Sequence, residues 1–255
     1  MSSLAIAFGF LTVLPVPANT WTSQTPFGRA FTWFPLVGLV LGGILAVGAI
    51  GLAALLPASV VAALLLAGSV LLTGGLHLDG LMDTCDGVFC VRSPEQRLAI
   101  MRDSHVGAFG VLGAACLLLI KFAALSALLA GDRRLLLGGL LLAPMLSRWA
   151  MVLAAVCFPY GRTGETLGSS FQRTVGRVQL ATATVSAGLL IVLLGVALHL
   201  GVRGPAAFAG AAGLTYLVAR FVLSRLPGLT GDVYGAINEV VEAMVLVAFT
   251  LRWIT

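Results

Sequence analysis

Three aspartates stand close together in GGLHLDGLMDTCDGVF, which covers residues 74–89. They are Asp79, Asp83 and Asp86, separated by four and then three residues. On a helix turning about 100° per residue they lie at about 0°, 40° and −20°, so the three carboxylates share one narrow face. Because like charges placed so closely repel one another, this face predicts a bound divalent cation, and Mg²⁺ favours carboxylates, water and phosphates. The alternative is a solvated acidic helix end.

Other polar residues flank this face. His77 could donate to a phosphate or act as a base, or it could equally cap a helix end. In the string MRDSHVG, Arg102 suits bidentate phosphate contacts, and Asp103 suits a further metal ligand or a base that accepts a hydroxyl proton. The alternative for these two residues is a surface ion pair that anchors the topology. The sequence therefore gives His77 and Asp103 as catalytic candidates and Arg102 as a substrate-binding candidate.

A second polar group lies nearer the end of the chain. The string TGDVYGAINE contains Asp232 and Glu239, which could form another carboxylate cluster or the edge of a nucleotide site. The glycine-rich string YGRTGETLG contains Arg162 but lacks the GK[ST] element of a Walker loop. Alone it is weak support for a phosphate contact.

The composition indicates the elements that must hold these residues. The 255 residues are 59% hydrophobic and only 10% charged, with a mean hydropathy of +1.06. Soluble domains carry about 25% charged residues, so lipid is the expected surrounding. A net charge of +5 without a basic run argues against nucleic acid as a partner. Four cysteines without a CxxC pair predict neither disulfides nor a zinc site.

The hydrophobic pattern predicts an all-α, polytopic membrane helix bundle. We expect one integral membrane domain over 1–255, with a catalytic segment at about 74–107. The first residues lack the basic n-region of a signal peptide and predict a short interfacial or re-entrant helix, ended by Pro15 and Pro17. Seven spans are expected near 33–56, 59–77, 108–130, 135–157, 178–200, 205–224 and 236–254. The sequence leaves the oligomeric state open, a homo-oligomer included.

The connections between these spans alternate in length and in charge. Three long connections (78–107, 158–177 and 225–235) fall on the same side as the N-terminus, and two short ones (131–134 and 201–204) on the other. The long-loop side carries nine arginines, against four on the short-loop side. Positive residues mark the cytoplasmic side, so we expect an active site that faces the cytoplasm of a prokaryotic inner membrane.

Two cations lie inside predicted spans. Lys121 and Arg148 are roughly 20 and 14 Å from the cytoplasmic ends at helical rise. Buried membrane charges are rare and usually functional, so both are candidates to meet anionic substrate groups in a polar cavity. The alternative is a set of structural ion pairs with Glu239 and Glu242. We favour the cavity for Arg148, whose span ends beside the 158–177 loop, and leave both interpretations open for Lys121.

The strings GGLHLDGLMDTCDGVF and IMRDSHVGAFG resemble cobalamin (vitamin B12) synthase, the adenosylcobinamide-GDP ribazoletransferase family. The resemblance extends to LTVLPVP, FPLVGLVLGG and TGDVYGAINE, and so covers most of the chain. It implies a Mg²⁺-dependent enzyme of the cytoplasmic membrane. That enzyme joins adenosylcobinamide-GDP to α-ribazole, or its 5′-phosphate, releasing GMP in the last step of cobalamin nucleotide-loop assembly.

The resemblance also assigns residues. The positions that match family motifs are Asp79, Asp83, Asp86, His77, Arg102, Asp103, Asp232 and Glu239. Over residues 161–168 the match is looser. The spaced aspartates are also similar to those of CDP-alcohol phosphotransferases, but Thr84 and Cys85 depart from the DGxxAR pattern of those enzymes. Such an enzyme with another substrate is one alternative, and a small-solute transporter or a structural subunit are others.

Overall fold

The computed structural model describes residues 3–17, 27–162 and 174–251. Within these ranges the regular structure is helical, and a single bridge between Tyr160 and Leu229 is the only β-type pairing. A 3₁₀ helix, Phe27–Trp33, leads directly into α2. The α-helices are α1 (Ser3–Leu11), α2 (Phe34–Ala53), α3 (Ala58–Leu72), α4 (Leu76–Phe89), α5 (Pro94–Ile100), α6 (Ala108–Leu129), α7 (Arg133–Cys157), α8 (Arg177–Ala197), α9 (Arg203–Leu223) and α10 (Gly231–Thr250).

The predicted polytopic helical membrane bundle is confirmed. Six helical segments are long and apolar enough to cross a membrane: α2 with its 3₁₀ helix, and α6 to α10. The pair formed by α3 and α4 passes the same test, but the chain bends by 89° between the two helices. The expected span over 59–77 is therefore wrong at its end, because α3 stops at Leu72 and α4 runs in a different direction.

The bend is made by two glycines. Gly74 has φ +61° and Gly75 has φ +72°, in the left-handed region that side chains disfavour and glycine adopts readily. Gly75 then stands at the N-cap of α4. At the other end of α4, the Arg97 guanidinium donates to the carbonyl oxygens of Gly87 and Val88. A cation at these free carbonyls stabilises the C-terminus of the helix.

Helices α7 and α10 form the centre of the bundle and are buried along most of their length, whereas the other spans are largely exposed to the surroundings. Close packing against α7 depends on glycines of α2. A Cβ atom on Gly38 would lie 2.8 Å from the Met145 Cα, and one on Gly42 would lie 3.0 Å from the Leu141 Cα. Small residues allow such backbone approach between membrane helices.

Two element boundaries differ from the sequence prediction. Helix α1 ends at Leu11, before Pro15, and the Val13 N–H then donates to the Leu72 carbonyl at 2.9 Å, so the chain leaves α1 to bond the end of α3. Helix α10 begins at Gly231 and not near 236, because the Thr230 hydroxyl caps it by accepting from the Val233 N–H. The predicted 225–235 loop is therefore shorter.

Candidate active site

Helices α4 and α10 cross with their backbones in contact. A Cβ atom on Gly80 would lie 2.8 Å from the Asp232 carbonyl oxygen, and one on Gly235 would lie 3.1 Å from the His77 carbonyl oxygen. Each helix thus contributes a glycine at the point where the other approaches. The crossing brings the acidic face of α4 against the first turn of α10.

This crossing gathers carboxylates that are far apart in the sequence. Asp83 lies on α4, outside the six spanning segments, and its pKa is raised to about 6. Burial is the largest cause, and the charges of Asp232 and Asp79 add to it, while Arg162 acts in the opposite direction. The side chains of Asp79 and Asp83 make no hydrogen bond or ion pair to any other described residue, so their oxygens are free to bind a ligand.

One arginine partly balances this negative charge. The Arg162 guanidinium is 2.5 Å from the Asp232 carboxylate and also reaches the Met101 carbonyl at 3.4 Å. The Thr230 hydroxyl donates to the same carboxylate at 3.2 Å. The structure thus brings together two predicted substrate-binding residues, Arg162 and Asp232, from different helix connections. The rest of the predicted glycine-rich loop, residues 163–168, lies outside the described ranges.

Asp86 occupies a different environment from the other two aspartates of α4. Its carboxylate oxygens accept hydrogen bonds from the backbone N–H groups of Gly107 and Gly110, both at 2.8 Å. These groups belong to the start of α6, where N–H groups lack partners within the helix and a negative charge is favourable. Asp86 therefore joins α4 to α6, an anchoring role that its sequence pattern did not indicate.

His77 is buried beneath the acidic face, with 1% of its surface exposed. Neither ring nitrogen has a hydrogen-bond partner among the described residues, so the helix-capping alternative is not what this geometry shows. Burial lowers the pKa of His77 well below its ordinary value, and the nearby charge of Arg148 lowers it further. A neutral imidazole has one donor and one acceptor nitrogen, and here neither has a partner among the described residues.

Arg102 and Asp103 lie apart from this cluster. Both are exposed, in the turn between α5 and α6. The Asp103 carboxylate is 2.6 Å from His105 Nδ1, which lowers the pKa of Asp103 and raises the pKa of His105. Arg102 makes no side-chain hydrogen bond to another described residue. The two residues are on the surface, but among the described residues Asp103 pairs with His105 and not with Arg102, and their predicted roles in catalysis and substrate binding stay predictions.

Inside the bundle, four charged side chains form one buried network. Lys121 Nζ lies 2.7 Å from Glu239 and 3.0 Å from Glu242. Arg148 is 2.5 Å from the other oxygen of Glu242, and Ser147 accepts a hydrogen bond from Arg148 at 3.0 Å. Helices α6, α7 and α10 each contribute to the network. Its four charged residues are at most 9% exposed.

The network bears on the interpretation favoured for Arg148, because the structure pairs its guanidinium with Glu242. A cavity of about 20 Å³ does lie beside Lys121, Arg148, Glu239 and Glu242. Such a volume holds about one water and excludes a phosphate group. The structure therefore has the structural ion pairs that were the alternative, and substrate binding by Lys121, Arg148 or Glu239 stays a prediction.

The donor set fits a magnesium ion that is shared with a substrate. Within the described ranges, no three His, Cys, Asp or Glu side chains form a group that could hold a metal ion alone. Mg²⁺ does not require such a group, since it usually keeps several waters and binds through one or two carboxylates together with substrate phosphates. Asp79 and Asp83 offer uncommitted carboxylates of this kind. The predicted third ligand, Asp86, already has its oxygens on backbone N–H groups.

Two further residues belong to the site but had no role in the sequence prediction. Thr230 caps α10 and bonds Asp232, and Tyr234 is buried with its hydroxyl unpaired among the described residues. Both lie in the string TGDVYGAINE, which was singled out for its acids alone. The available sequence signal was a tyrosine between Gly231 and Gly235 in a helix of a membrane protein. Had it been expected to be buried, its hydroxyl would have been expected to need a partner.

Fold and site together define an integral membrane protein of polytopic helical architecture, with a carboxylate-rich site beside the first turns of α6 and α10. Residues 3–250 match the family model described as cobalamin-5-phosphate synthase. The chain belongs to this family.

Relatives that share one name match the chain over almost its full length. The chain is 42% identical over 254 residues to the adenosylcobinamide-GDP ribazoletransferase of Desulfitobacterium hafniense (strain Y51), covering 99% of this chain and 98% of the relative. It is 40% identical to the protein of that name from Desulforamulus reducens, covering 96% and 94%. It is 41% identical to the protein of that name from Roseiflexus sp. (strain RS-1), covering 96% of this chain and 88% of the relative. No solved structure matches the chain.

The contacts of Asp86 predict that Asp86→Ala destabilises the protein even without substrate. The substitution removes the acceptors of two N–H groups at the start of α6, a loss of about 1–2 kcal/mol for a helix cap. The midpoint of thermal unfolding in detergent should fall. Asp103→Ala is the matched control, because Asp103 is exposed and bonds only its near neighbour His105. Equal midpoints for the two variants would contradict the anchoring role.

The buried network predicts that Lys121→Met destabilises the fold strongly. It leaves Glu239 without its cation, and breaking a buried pair by removing one partner costs about 3–5 kcal/mol. Thermal unfolding and the yield of folded protein measure this loss. The double variant Lys121→Met/Glu239→Gln should recover much of it, since the pair between Arg148 and Glu242 remains. Wild-type stability of the single variant, combined with weaker substrate binding, would favour the substrate-binding interpretation instead.

Proposed function

We propose that this protein is an adenosylcobinamide-GDP ribazoletransferase. It would join adenosylcobinamide-GDP to α-ribazole, or to its 5′-phosphate, and give adenosylcobalamin, or its phosphate, and GMP. This is a transfer of a substituted phosphate group and the last step of cobalamin nucleotide-loop assembly. The observation that carries the proposal is the set of uncommitted carboxylates on α4, held against Asp232 and Arg162 in a chain of this family.

The residues of the site suit this chemistry. The ribazole hydroxyl oxygen forms a bond to the phosphorus next to cobinamide, the pyrophosphate P–O bond breaks, and GMP leaves with that bridging oxygen. The hydroxyl proton passes to a carboxylate of the cluster. Arg162 stands where its guanidinium can exchange Asp232 for a phosphate oxygen, and its planar donors match such oxygens. Phosphoryl transfer depends mainly on positioning and on neutralising charge, which these residues supply.

We propose Mg²⁺ as the cofactor, held by Asp79 and Asp83 together with substrate phosphate oxygens. When bound, the ion would neutralise charge on the pyrophosphate and stabilise the leaving group. Asp79 and Asp83 would hold the ion, whose positive charge would reduce the repulsion between the two carboxylates. Asp86 supports them by fixing the far end of α4 to α6.

The proposal predicts that Asp79→Asn and Asp83→Asn each lower turnover by at least about a hundredfold, because a Lewis-acid metal supplies several kcal/mol. Formation of adenosylcobalamin by purified protein in detergent, at saturating Mg²⁺, measures this. Cys116→Ser, on the exposed side of α6, is a control that should retain activity. A near-normal rate for either variant would remove that residue from the metal site. If the wild type forms no product, the proposed enzyme activity is contradicted and the transporter alternative remains.

We further propose that the site faces the cytoplasm of the inner membrane, from the excess of arginines on the long-loop side. A cysteine at Ser93, in a background without the native cysteines, should resist an impermeant thiol reagent in intact cells and react after lysis. A cysteine at Asp132, in the short loop before α7, should react from outside. The reverse pattern would overturn this topology.

A further inference from the structure

A second cavity adjoins the carboxylates and is mostly apolar, with several aromatic residues in its wall. It has a volume of about 290 Å³, and its apolar wall includes Phe10, Phe31, Phe34 and Met151. The rings of Phe31 and Phe34 are stacked with centroids 4.4 Å apart, and that of Phe10 is nearly parallel to Phe34 at 6.2 Å. The volume is near the lower end of the range of about 300–1,000 Å³ that small-molecule sites usually have.

Two residues whose buried polar atoms lack partners also line this cavity. His77 is 1% exposed and has both ring nitrogens unpaired, and Tyr234 is 6% exposed with an unpaired hydroxyl, among the described residues. Buried polar side chains in folded proteins nearly always have hydrogen-bond partners. A cavity that combines stacked rings with these atoms is therefore suited to a flat ligand that carries a few polar groups.

Asp79 lies in the wall of this cavity and also in the wall of an open groove of about 570 Å³ that includes Thr73, Leu78 and Met82. Two molecules can thus approach Asp79 from different sides, one enclosed and one exposed to the surroundings. The larger, macrocyclic substrate of the proposed reaction cannot enter 290 Å³. The groove is open to the surroundings, so a larger molecule can bind there and extend out of it.

We propose that the aromatic cavity binds the base of the nucleoside that supplies the attacking hydroxyl. This assignment rests on the proposed function. The flat, largely apolar rings of a benzimidazole stack on phenyl rings, and its ring nitrogen and ribose hydroxyls pair with His77 and Tyr234. A guanine would leave several polar edge groups without partners in this largely apolar cavity, and a lipid tail would leave both polar side chains unpaired. The nucleoside then presents its hydroxyl toward Asp79.

A cavity-filling substitution tests the assignment. Gly231 lines the cavity, and a Cβ atom there meets nothing within 4 Å, so Gly231→Leu adds a bulky side chain at the cavity wall without a clash at its base. Gly231→Ala controls for the backbone change. Gly188→Leu, on α8, controls for an added leucine, because a Cβ there also meets nothing within 4 Å.

Binding of α-ribazole alone is measured by equilibrium dialysis with protein in nanodiscs, and KM is measured for both substrates. We expect Gly231→Leu to raise the Kd and the KM for α-ribazole at least about tenfold, the scale on which pockets reject extra groups. The KM for adenosylcobinamide-GDP should stay within about twofold of wild type, and both controls should match wild type.

A second variant keeps the test independent of cavity shape. Tyr234→Phe removes the unpaired hydroxyl without changing the ring and should raise the Kd for α-ribazole about fivefold, as the loss of one hydrogen bond would. If Gly231→Leu does not fold, the α-ribazole affinity of Tyr234→Phe alone tests the cavity assignment. Unchanged α-ribazole affinity in the folded variants would overturn the assignment, as would weaker binding of the GDP substrate alone.

The outcomes separate the cavity assignment from the enzyme activity. Wild-type protein that forms no product contradicts the proposed function. Product formation with an unchanged α-ribazole KM in Gly231→Leu contradicts the cavity assignment alone. A lipid that copurifies with wild type and is lost in Gly231→Leu, with α-ribazole affinity unchanged, would show that the cavity binds a lipid and not α-ribazole.

Discussion

The backbone contact between α4 and α10 determines where the acids of this protein lie. At Gly80 and Gly235 the two helices approach so closely that a side chain on either would meet the backbone of the other. The approach forces the face bearing Asp79 and Asp83 against Asp232, although same-sign charges oppose it. Packing therefore holds together a group of carboxylates that electrostatics alone would separate, and the proposed Mg²⁺ would relieve the resulting repulsion.

The ion network beneath the crossing fixes the position of α10. Glu239 and Glu242 bind cations from α6 and α7, and Arg162 binds the first turn of the same helix. Buried ion pairs add little net stability, because desolvation offsets much of their attraction. Their directional contacts nevertheless oppose rotation of α10 about its axis, which would move Asp232 away from α4. The network thus supports the site by position, although it is too enclosed to admit a phosphate.

The sequence predicted the spans and the acidic face well, because both depend on local patterns. Hydropathy located the membrane helices within a few residues, and helical spacing placed Asp79, Asp83 and Asp86 on one helix. It could not predict contacts between distant elements. The 89° bend at Gly74 and Gly75 depends on backbone conformation, which glycine permits without requiring.

The roles of individual charges were harder to predict for the same reason. Asp86 was grouped with its neighbours by spacing, but its partners are N–H groups more than twenty residues away. Arg162 and Asp232 are seventy residues apart and meet only in the folded bundle. Charge inside the spans indicated that Lys121 and Arg148 needed partners, and the sequence contained two acids for them. Whether a cavity lies between these cations and the acids depends on how the helices pack, and the positions of the spans in the sequence do not determine that packing.

The two sides of Asp79 differ in a way that matters for a transfer reaction. Phosphoryl groups can pass to water as well as to an alcohol, so an enzyme of this kind must favour the alcohol by position and by excluding water. An enclosed, aromatic cavity on the side of the attacking hydroxyl would do both, because the bound base fills the space that water would occupy. The open groove has no such requirement, since the group that enters there is the one being attacked. On this view, the aromatic residues near the N-terminus of the chain contribute to the choice of acceptor as well as to packing, and the separation between enclosed and open sides is what directs the reaction toward the nucleoside.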